Sequence, residues 1–269
     1  MLVSDDLIQD FWRDGATCVR GAFSKDWIEE LRAATERVIE TPGPFRLQLA
    51  RNPEDGDFVG ELFLWQRDEG FRRFIFESPA NRIAAAFLKR DRVRLFYDYL
   101  LAKFPGSANK TPWHQDLPYY PVQGGQIVSL WIALDPVTQL SGGVSYIAGS
   151  HLWNRQFQPE AFSGTANFAG TAYEPVPDID GEPEKYRLLT WDLEPGDCLV
   201  HHSLTVHGAP ANRANIMRRG VAIRWMDEDV RFDPRERTAP GIQAQAQDPQ
   251  DPVAPGAKLA NRNFPAFAA

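Results

Sequence analysis

The sequence predicts an antiparallel β core with helices packed on one side. Helical periodicity is confined to the first third of the chain. From about Val93 onward it gives way to short β-branched and aromatic segments bounded by Gly, Pro, Asp and Asn. Helices first and strands afterwards argue for a segregated arrangement of this kind. A length of 269 residues lies within the range that all-β barrels and sandwiches reach as a single unit.

The first 90 residues read as helix-rich. In "SKDWIEELRAATERVIE", Ser24 is a candidate N-cap, and Trp27, Ile28, Leu31, Ala34, Thr35 and Val38 recur at the period of one buried helical face. "SPANRIAAAFLK" repeats the logic, with Ser78 as cap and Pro79 at the first helical position. Residues 91–232 form the expected core, with strands in "VRLFYDYLLAKF", "GQIVSLWIALDPV", "GGVSYIAGS", "GDCLVHHSLTVHG" and "RRGVAIRWM". The tail, 233–269, is rich in Pro, Ala and Gln and reads as flexible by composition. There are no internal repeats, so the expectation is one domain over 1–269.

Hydrophobic residues make up 43 % of the chain and aromatics 12 %, enough apolar area for a sizeable core and against intrinsic disorder. The net charge of −7, with Lys and Arg dispersed, disfavours nucleic acid and anionic membranes as partners. The acidic N-terminus "MLVSDDLIQDFW" lacks a basic segment followed by an apolar run, and no long apolar stretch occurs, so the expected location is cytoplasmic. Cys18 and Cys198 fall outside any metal or disulfide pattern and are expected to be buried thiols.

The chemistry centres on "TPWHQDLPYY". On a strand, His114 and Asp116 would share one face and present an imidazole beside a carboxylate. A third ligand must come from His151, His201, His202 or His207. His207 lies where a strand runs out into "GAP", a place from which a side chain can face a cleft. Two His and one carboxylate leave adjacent metal positions open, as in non-haem Fe(II) oxygenases, although zinc accepts the same ligand types. Downstream, Arg218, Gly220, Ala222 and Arg224 share one strand face, while Arg219, Val221, Ile223 and Trp225 share the other, more apolar one. An Arg above two small residues, facing the cavity, suits a bidentate pair with the distal carboxylate of 2-oxoglutarate. Arg224 could read a substrate acid or pair with an Asp.

With these motifs in place, the chain resembles the phytanoyl-CoA dioxygenase family of Fe(II)/2-oxoglutarate oxygenases. The resemblance runs over roughly residues 5 to 225 and is carried by "DGATCVRGAFSKDWIEELRAA", "KFPGSANKTPWHQDLPYYP", "SLWIALDPVTQLSGGVSYIAGSH" and "HHSLTVHGAPANRANIMRRGVAIRW". It implies a double-stranded β-helix, the cupin-like jelly roll, with helices on one sheet. It also implies His114, Asp116 and His207 as iron ligands, Arg218 as the 2-oxoglutarate anchor, and Trp131 and Tyr99 as cosubstrate-pocket lining. Ala209 stands where some relatives place a Ser that contacts the cosubstrate. The implied reaction uses O2 and 2-oxoglutarate to oxidise, most simply to hydroxylate, a C–H bond of a small-molecule metabolite of the secondary-metabolism type, with release of succinate and CO2. The competing reading is a cupin-like hydrolase or isomerase that uses the same ligands without 2-oxoglutarate. Residues 44–73 and 157–181 are the expected substrate-recognition segments.

Overall fold

A computed structural model gives the structure of the protein and describes residues 3–50, 53–159, 173–236 and 238–269. Helix α1 (Asp5–Asp14) and strand β1 (Ala16–Val19) precede helix α2 (Lys25–Glu40), the hairpin β2 (Arg46–Gln48) and β3 (Phe58–Leu62), and helices α3 (Glu69–Glu77) and α4 (Ala80–Leu88). Then follow β4 (Arg92–Lys103), β5 (Thr111–His114), β6 (Val122–Gln123), β7 (Ile127–Ala133), β8 (Ser145–Ile147), β9 (Leu188–Thr190) and β10 (Cys198–His202). The chain continues through β11 (His207–Ala209), β12 (Arg218–Met226), β13 (Arg231–Phe232), α5 (Pro240–Ala246) and β14 (Ala266–Ala268).

Among the described residues the strands form an eight-stranded sheet in the order β1-β10-β7-β12-β4-β3-β2, with β14 also on β4, a four-stranded sheet β5-β11-β8-β9, and the pair β13-β6. The neighbours run antiparallel, in the jelly-roll arrangement that the resemblance implies. One face of the large sheet, including Leu100, Leu130, Val200, Val221, Ile223 and Trp225, packs under the helices against Leu31, Phe74 and Phe87. Burial of each such side chain contributes about 1.5–3 kcal/mol. The opposite face, with Tyr97, Tyr99, Trp131 and Leu199, closes against Tyr146 and Ala209 of the small sheet. The two faces of β12 therefore divide as its alternation predicts.

Three expectations are corrected. The first 90 residues also hold β2 and β3, which extend the large sheet beyond β4, besides β1, the opening strand that the resemblance implies, which pairs with β10. These edge strands are three to five residues long, too short to display a period of their own. Helix α4 begins at Ala80, so Pro79 is its N-cap rather than its first residue, and the Ser78 hydroxyl accepts from the Ala80 amide at 3.3 Å. The tail is held: β14 pairs with β4, and Ile242, Ala246, Leu259 and Phe264 are buried in the inner core. Those scattered apolar residues outweigh a loop-like composition. Among the described residues, no helix is long and apolar enough to cross a membrane.

The inner face of the large sheet is built in rows of paired residues. His201, Ser129, Arg224 and Tyr97 form one row across β10, β7, β12 and β4; Leu199, Trp131, Ala222 and Tyr99 form the next; Ala133, Gly220 and Leu101 the one after. Between Arg224 and Trp225 the β12–β4 register slips, which puts the adjacent Phe96 and Tyr97 both in the inner core, as a bulge does. Gly220 lets the Trp131 ring lie down along the sheet, since a Cβ there would fall 2.0 Å from Trp131 Cζ2. Gly60 does the same for Tyr99, with a Cβ 2.6 Å from the ring.

Two predictions follow from this packing. Gly220→Ala should destabilise the fold by about 1–3 kcal/mol through overpacking and move the Trp131 ring, read as a lower melting temperature together with a changed tryptophan emission spectrum. The second concerns Asp98, which is fully buried on the helix side of β4 and accepts from the Trp65 amide at 3.1 Å. Burial raises its pKa from 3.8 to about 7, against the hydrogen bonds that favour the anion. Between those values the folded chain keeps a proton that the unfolded chain has lost, so stability falls as pH rises through the window and levels off above it. Urea denaturation across this range should show that fall in the wild type and a flatter profile in Asp98→Asn.

Candidate active site

His114 ends β5 directly opposite His207, the first residue of β11, and His207 in turn lies opposite Tyr146 of β8. The two imidazole centroids are 4.2 Å apart. Each ring is fixed by its own neighbourhood: His114 Nδ1 is 2.8 Å from the Pro112 carbonyl, and His207 Nδ1 is 2.9 Å from the Thr205 carbonyl. A carbonyl only accepts, so Nδ1 carries the proton in both rings and each Nε2 presents its lone pair. Those Nε2 atoms lie 3.7 and 3.9 Å from Asp116 Oδ1. Burial, with His114 and His201 close by, holds the His207 pKa well below its ordinary value, so the ring is neutral.

Asp116 arrives by a different route from the one strand parity suggests. Strand β5 stops at His114, and Asp116 has a right-handed helical backbone (φ −73, ψ −41) at the start of the short 3₁₀ turn Leu117–Tyr119. Gln115, between the two, points away: its amide nitrogen donates to the carbonyls of Arg155 (3.1 Å) and Leu204 (2.8 Å). The pair still converges, because the turn folds the carboxylate back under the imidazole. His114, Asp116 and His207, all buried, offer ligand atoms that lie within 4.8 Å of one another.

The outer oxygen of Asp116 is held from the large sheet. Arg224 Nε donates to Oδ2 at 3.2 Å, its Nη2 forms an ion pair with the same oxygen at 3.1 Å, and His201 Nε2 lies 3.4 Å away. His201 Nδ1 is 3.2 Å from the Tyr146 hydroxyl. Burial opposes the Asp116 anion, but the Arg224 guanidinium, with His114, His201 and His207 close by, keeps its pKa well below the carboxylate range. Arg224, desolvated but facing Asp116, stays charged. Of the two roles open to Arg224 from the sequence, the structure shows the Asp pairing. His201, one of the four candidate third ligands in the sequence, belongs to the site as a neighbour of Asp116 rather than as a member of the three-residue cluster.

A cavity of about 380 Å³ opens over these residues. Arg218, 2 % exposed, lies at its wall with its guanidinium 5.5 Å from the centre of the Trp131 ring. Its Nη1 donates to the Leu101 carbonyl at 3.1 Å and its Nε has no partner among the described residues, while the nearby Asp135 pairs with Arg219 instead. Burial lowers the Arg218 pKa to about 10, so the side chain remains a cation without a carboxylate partner among the described residues. Trp131, Tyr99 and Ala209 line the same cavity.

The segment 44–73 contributes Leu47, Leu49, Phe58 and Leu62 to the walls, and the tail adds Ala239 and Pro240. In 157–181, Phe157 and Ile179 pack in a separate apolar cluster, and residues 160–172 lie outside the described residues. Tyr120 lines the cavity, whereas Trp113 turns outward and donates to Asp180 at 2.8 Å. His151 and His202 sit elsewhere, within hydrogen-bond distance of the Trp12 carbonyl and the Gln126 side chain. Both cysteines are free and buried.

The donor set fits a divalent metal: two imidazole Nε2 atoms and one carboxylate oxygen, each oriented by a hydrogen bond from behind. Arg218 fits a carboxylate for the complementary reason, being a buried guanidinium that lacks one. The family model for phytanoyl-CoA dioxygenase matches residues 11–220. The peroxisomal phytanoyl-CoA dioxygenase of Rattus norvegicus is 22 % identical over 232 residues, which cover 81 % of this chain and 67 % of that one. Among solved structures, the non-haem α-ketoglutarate-dependent carbocyclase SnoK from nogalamycin biosynthesis superimposes with a TM-score of 0.78 at 22 % identity, over 99 % of this chain and 97 % of its own. The epimerase SnoN, in complex with Fe3+, α-ketoglutarate and nogalamycin RO, gives 0.79 at 22 % identity over 97 % of each chain. The sequence match over most of the chain, the jelly roll and the His-Asp-His cluster beside a buried arginine agree, and the chain belongs to the phytanoyl-CoA dioxygenase family of Fe(II)- and 2-oxoglutarate-dependent oxygenases.

Proposed function

We propose that the protein oxidises, most simply hydroxylates, a C–H bond of a small-molecule metabolite, using O2 and 2-oxoglutarate and releasing succinate and CO2. One observation carries this reading: the His-Asp-His cluster and a buried arginine with no carboxylate partner face a single cavity. In it His114, Asp116 and His207 hold Fe(II), and Arg218 receives the distal carboxylate of 2-oxoglutarate over the face of Trp131. The bound iron and cosubstrate supply the oxidising equivalents.

The protein's own residues position and exclude. Arg218 supplies a planar fork in an aromatic setting where a carboxylate is worth far more than in water. Trp131 and Tyr99, laid flat by Gly220 and Gly60, shape the space between the cosubstrate and the metal side. Leu47, Leu49, Phe58 and Leu62 keep water from the reacting carbon and suit an apolar or mixed-polarity substrate. The carbocyclase and the epimerase among the structural relatives mark cyclisation and epimerisation as alternative outcomes of the same oxidation. A hydrolase or isomerase that dispenses with 2-oxoglutarate leaves Arg218 without a role.

Adding Fe(II) and then 2-oxoglutarate to the apoprotein without oxygen should produce the weak visible metal-to-ligand charge-transfer band of the chelate. His207→Ala should abolish the band; metal binding with no band in the wild type would favour the hydrolase reading. Arg218→Ala should leave metal binding nearly intact and raise the 2-oxoglutarate concentration needed by roughly tenfold or more, as expected for the loss of a charge-assisted pair. An unchanged requirement in a 2-oxoglutarate titration would remove Arg218 from that role.

A further inference from the structure

We propose that Arg224 and His201 clamp the outer oxygen of Asp116, so that this carboxylate meets the metal through Oδ1 alone. The inference rests on the reading of His114, Asp116 and His207 as the metal ligands and adds two positioning residues to them.

The two oxygens of Asp116 face different surroundings. Oδ1 looks toward His114 Nε2 and His207 Nε2, on the small sheet. Oδ2 is occupied by Arg224 Nε and Nη2 and faces His201 Nε2, all from the large sheet. His201 and Arg224 stand in one row on β10 and β12 with only Ser129 of β7 between them, and that small side chain leaves room for both to reach the same oxygen. Neither is free to follow the carboxylate if it turns. The guanidinium lies 4.8 Å from the Tyr97 ring centre and 5.8 Å from that of Tyr99, and the Tyr146 hydroxyl engages the far nitrogen of His201.

Swinging Oδ2 toward the metal would break the Arg224 hydrogen bond and ion pair. It would leave a guanidinium that is 5 % exposed, and whose Nη1 has no partner among the described residues, with no counter-charge. The clamp has a functional consequence. Two imidazoles, one carboxylate oxygen and a bidentate cosubstrate fill all but one of roughly six metal positions, and a second Asp116 oxygen would close the last.

The test uses Co(II) in place of Fe(II), because its ligand-field absorption reports coordination number without turnover. Arg224→Met should bind Co(II) about tenfold to a hundredfold more weakly than the wild type and show ligand-field bands changed from the wild-type spectrum before 2-oxoglutarate is added, as a second carboxylate oxygen replaces another ligand. Arg224→Lys, which restores one donor but not the fork, should fall between the two. His201→Gln, whose amide can donate to Oδ2, should keep affinity within about threefold. A lower melting temperature in Arg224→Met with a wild-type Co(II) spectrum and affinity would overturn the clamp; if that variant does not fold, a wild-type spectrum and affinity in Arg224→Lys would do so. Absence of Co(II) binding by the wild type would overturn the ligand assignment and the clamp with it, whereas normal wild-type binding with indifferent Arg224 variants would overturn the clamp alone.

Discussion

The interior between the two sheets is aromatic, and two arginines are buried in it. Taking a guanidinium out of water is opposed by several kcal/mol unless a partner restores the lost solvation. The chain meets this demand in two different ways. Arg224 receives Asp116, through a hydrogen bond and an ion pair, and two tyrosine faces. Arg218 receives one backbone carbonyl and the face of Trp131, and the balance of its charge is left to whatever enters the cavity. Other buried ionisable groups are kept from adding to the load: burial, with Arg218 nearby, pushes the Lys103 amine well below its usual pKa, and its nitrogen donates to the Pro210 carbonyl.

This asymmetry depends on the pairing of the strands. Rows across β10, β7, β12 and β4 alternate large and small residues, so that the Gly220 row makes room for the Trp131 row and Ser129 makes room for His201 and Arg224. A one-residue slip of β12 would send both arginines under the helices and Val221 and Ile223 into the cavity. What prevents it is the opposite face, where Val221, Ile223 and Trp225 are buried against the helical layer. The helices thus contribute to the site without touching it.

Much of this was legible in the sequence where the relevant order is local. The alternation of β12 and the periodicity of α2 are each properties of about ten consecutive residues and are found where expected, whereas the single strand expected through His207 breaks after His202, and His207 opens a new strand on the small sheet. The resemblance to a family supplied the rest of the ligand set. What escaped is non-local. Strands β2 and β3 exist because distant partners bring them into the large sheet. Asp116 sits in a turn held by a distant partner, the Ser203 carbonyl, which accepts from the Leu117 amide at 2.9 Å. The place of His201 is non-local as well, because the carboxylate it serves comes from the segment that follows a strand of the opposite sheet.

The three clustered residues also differ in what they do for the fold. The second nitrogens of His114 and His207 are engaged by carbonyls two residues away, so each imidazole is fixed within its own segment. Asp116 is fixed across the interior, by side chains of β12 and β10. Loss of an imidazole removes a ligand and leaves the surrounding bonds nearly as they were. Loss of the Asp116 carboxylate also strands a buried arginine and a buried histidine and removes a polar link between the sheets, a change of the kind that is strongly destabilising. Metal binding and closure of the jelly roll therefore share one interaction at Asp116, and activity lost on its replacement mixes a missing ligand with a loosened interior in a way that loss at His114 or His207 does not.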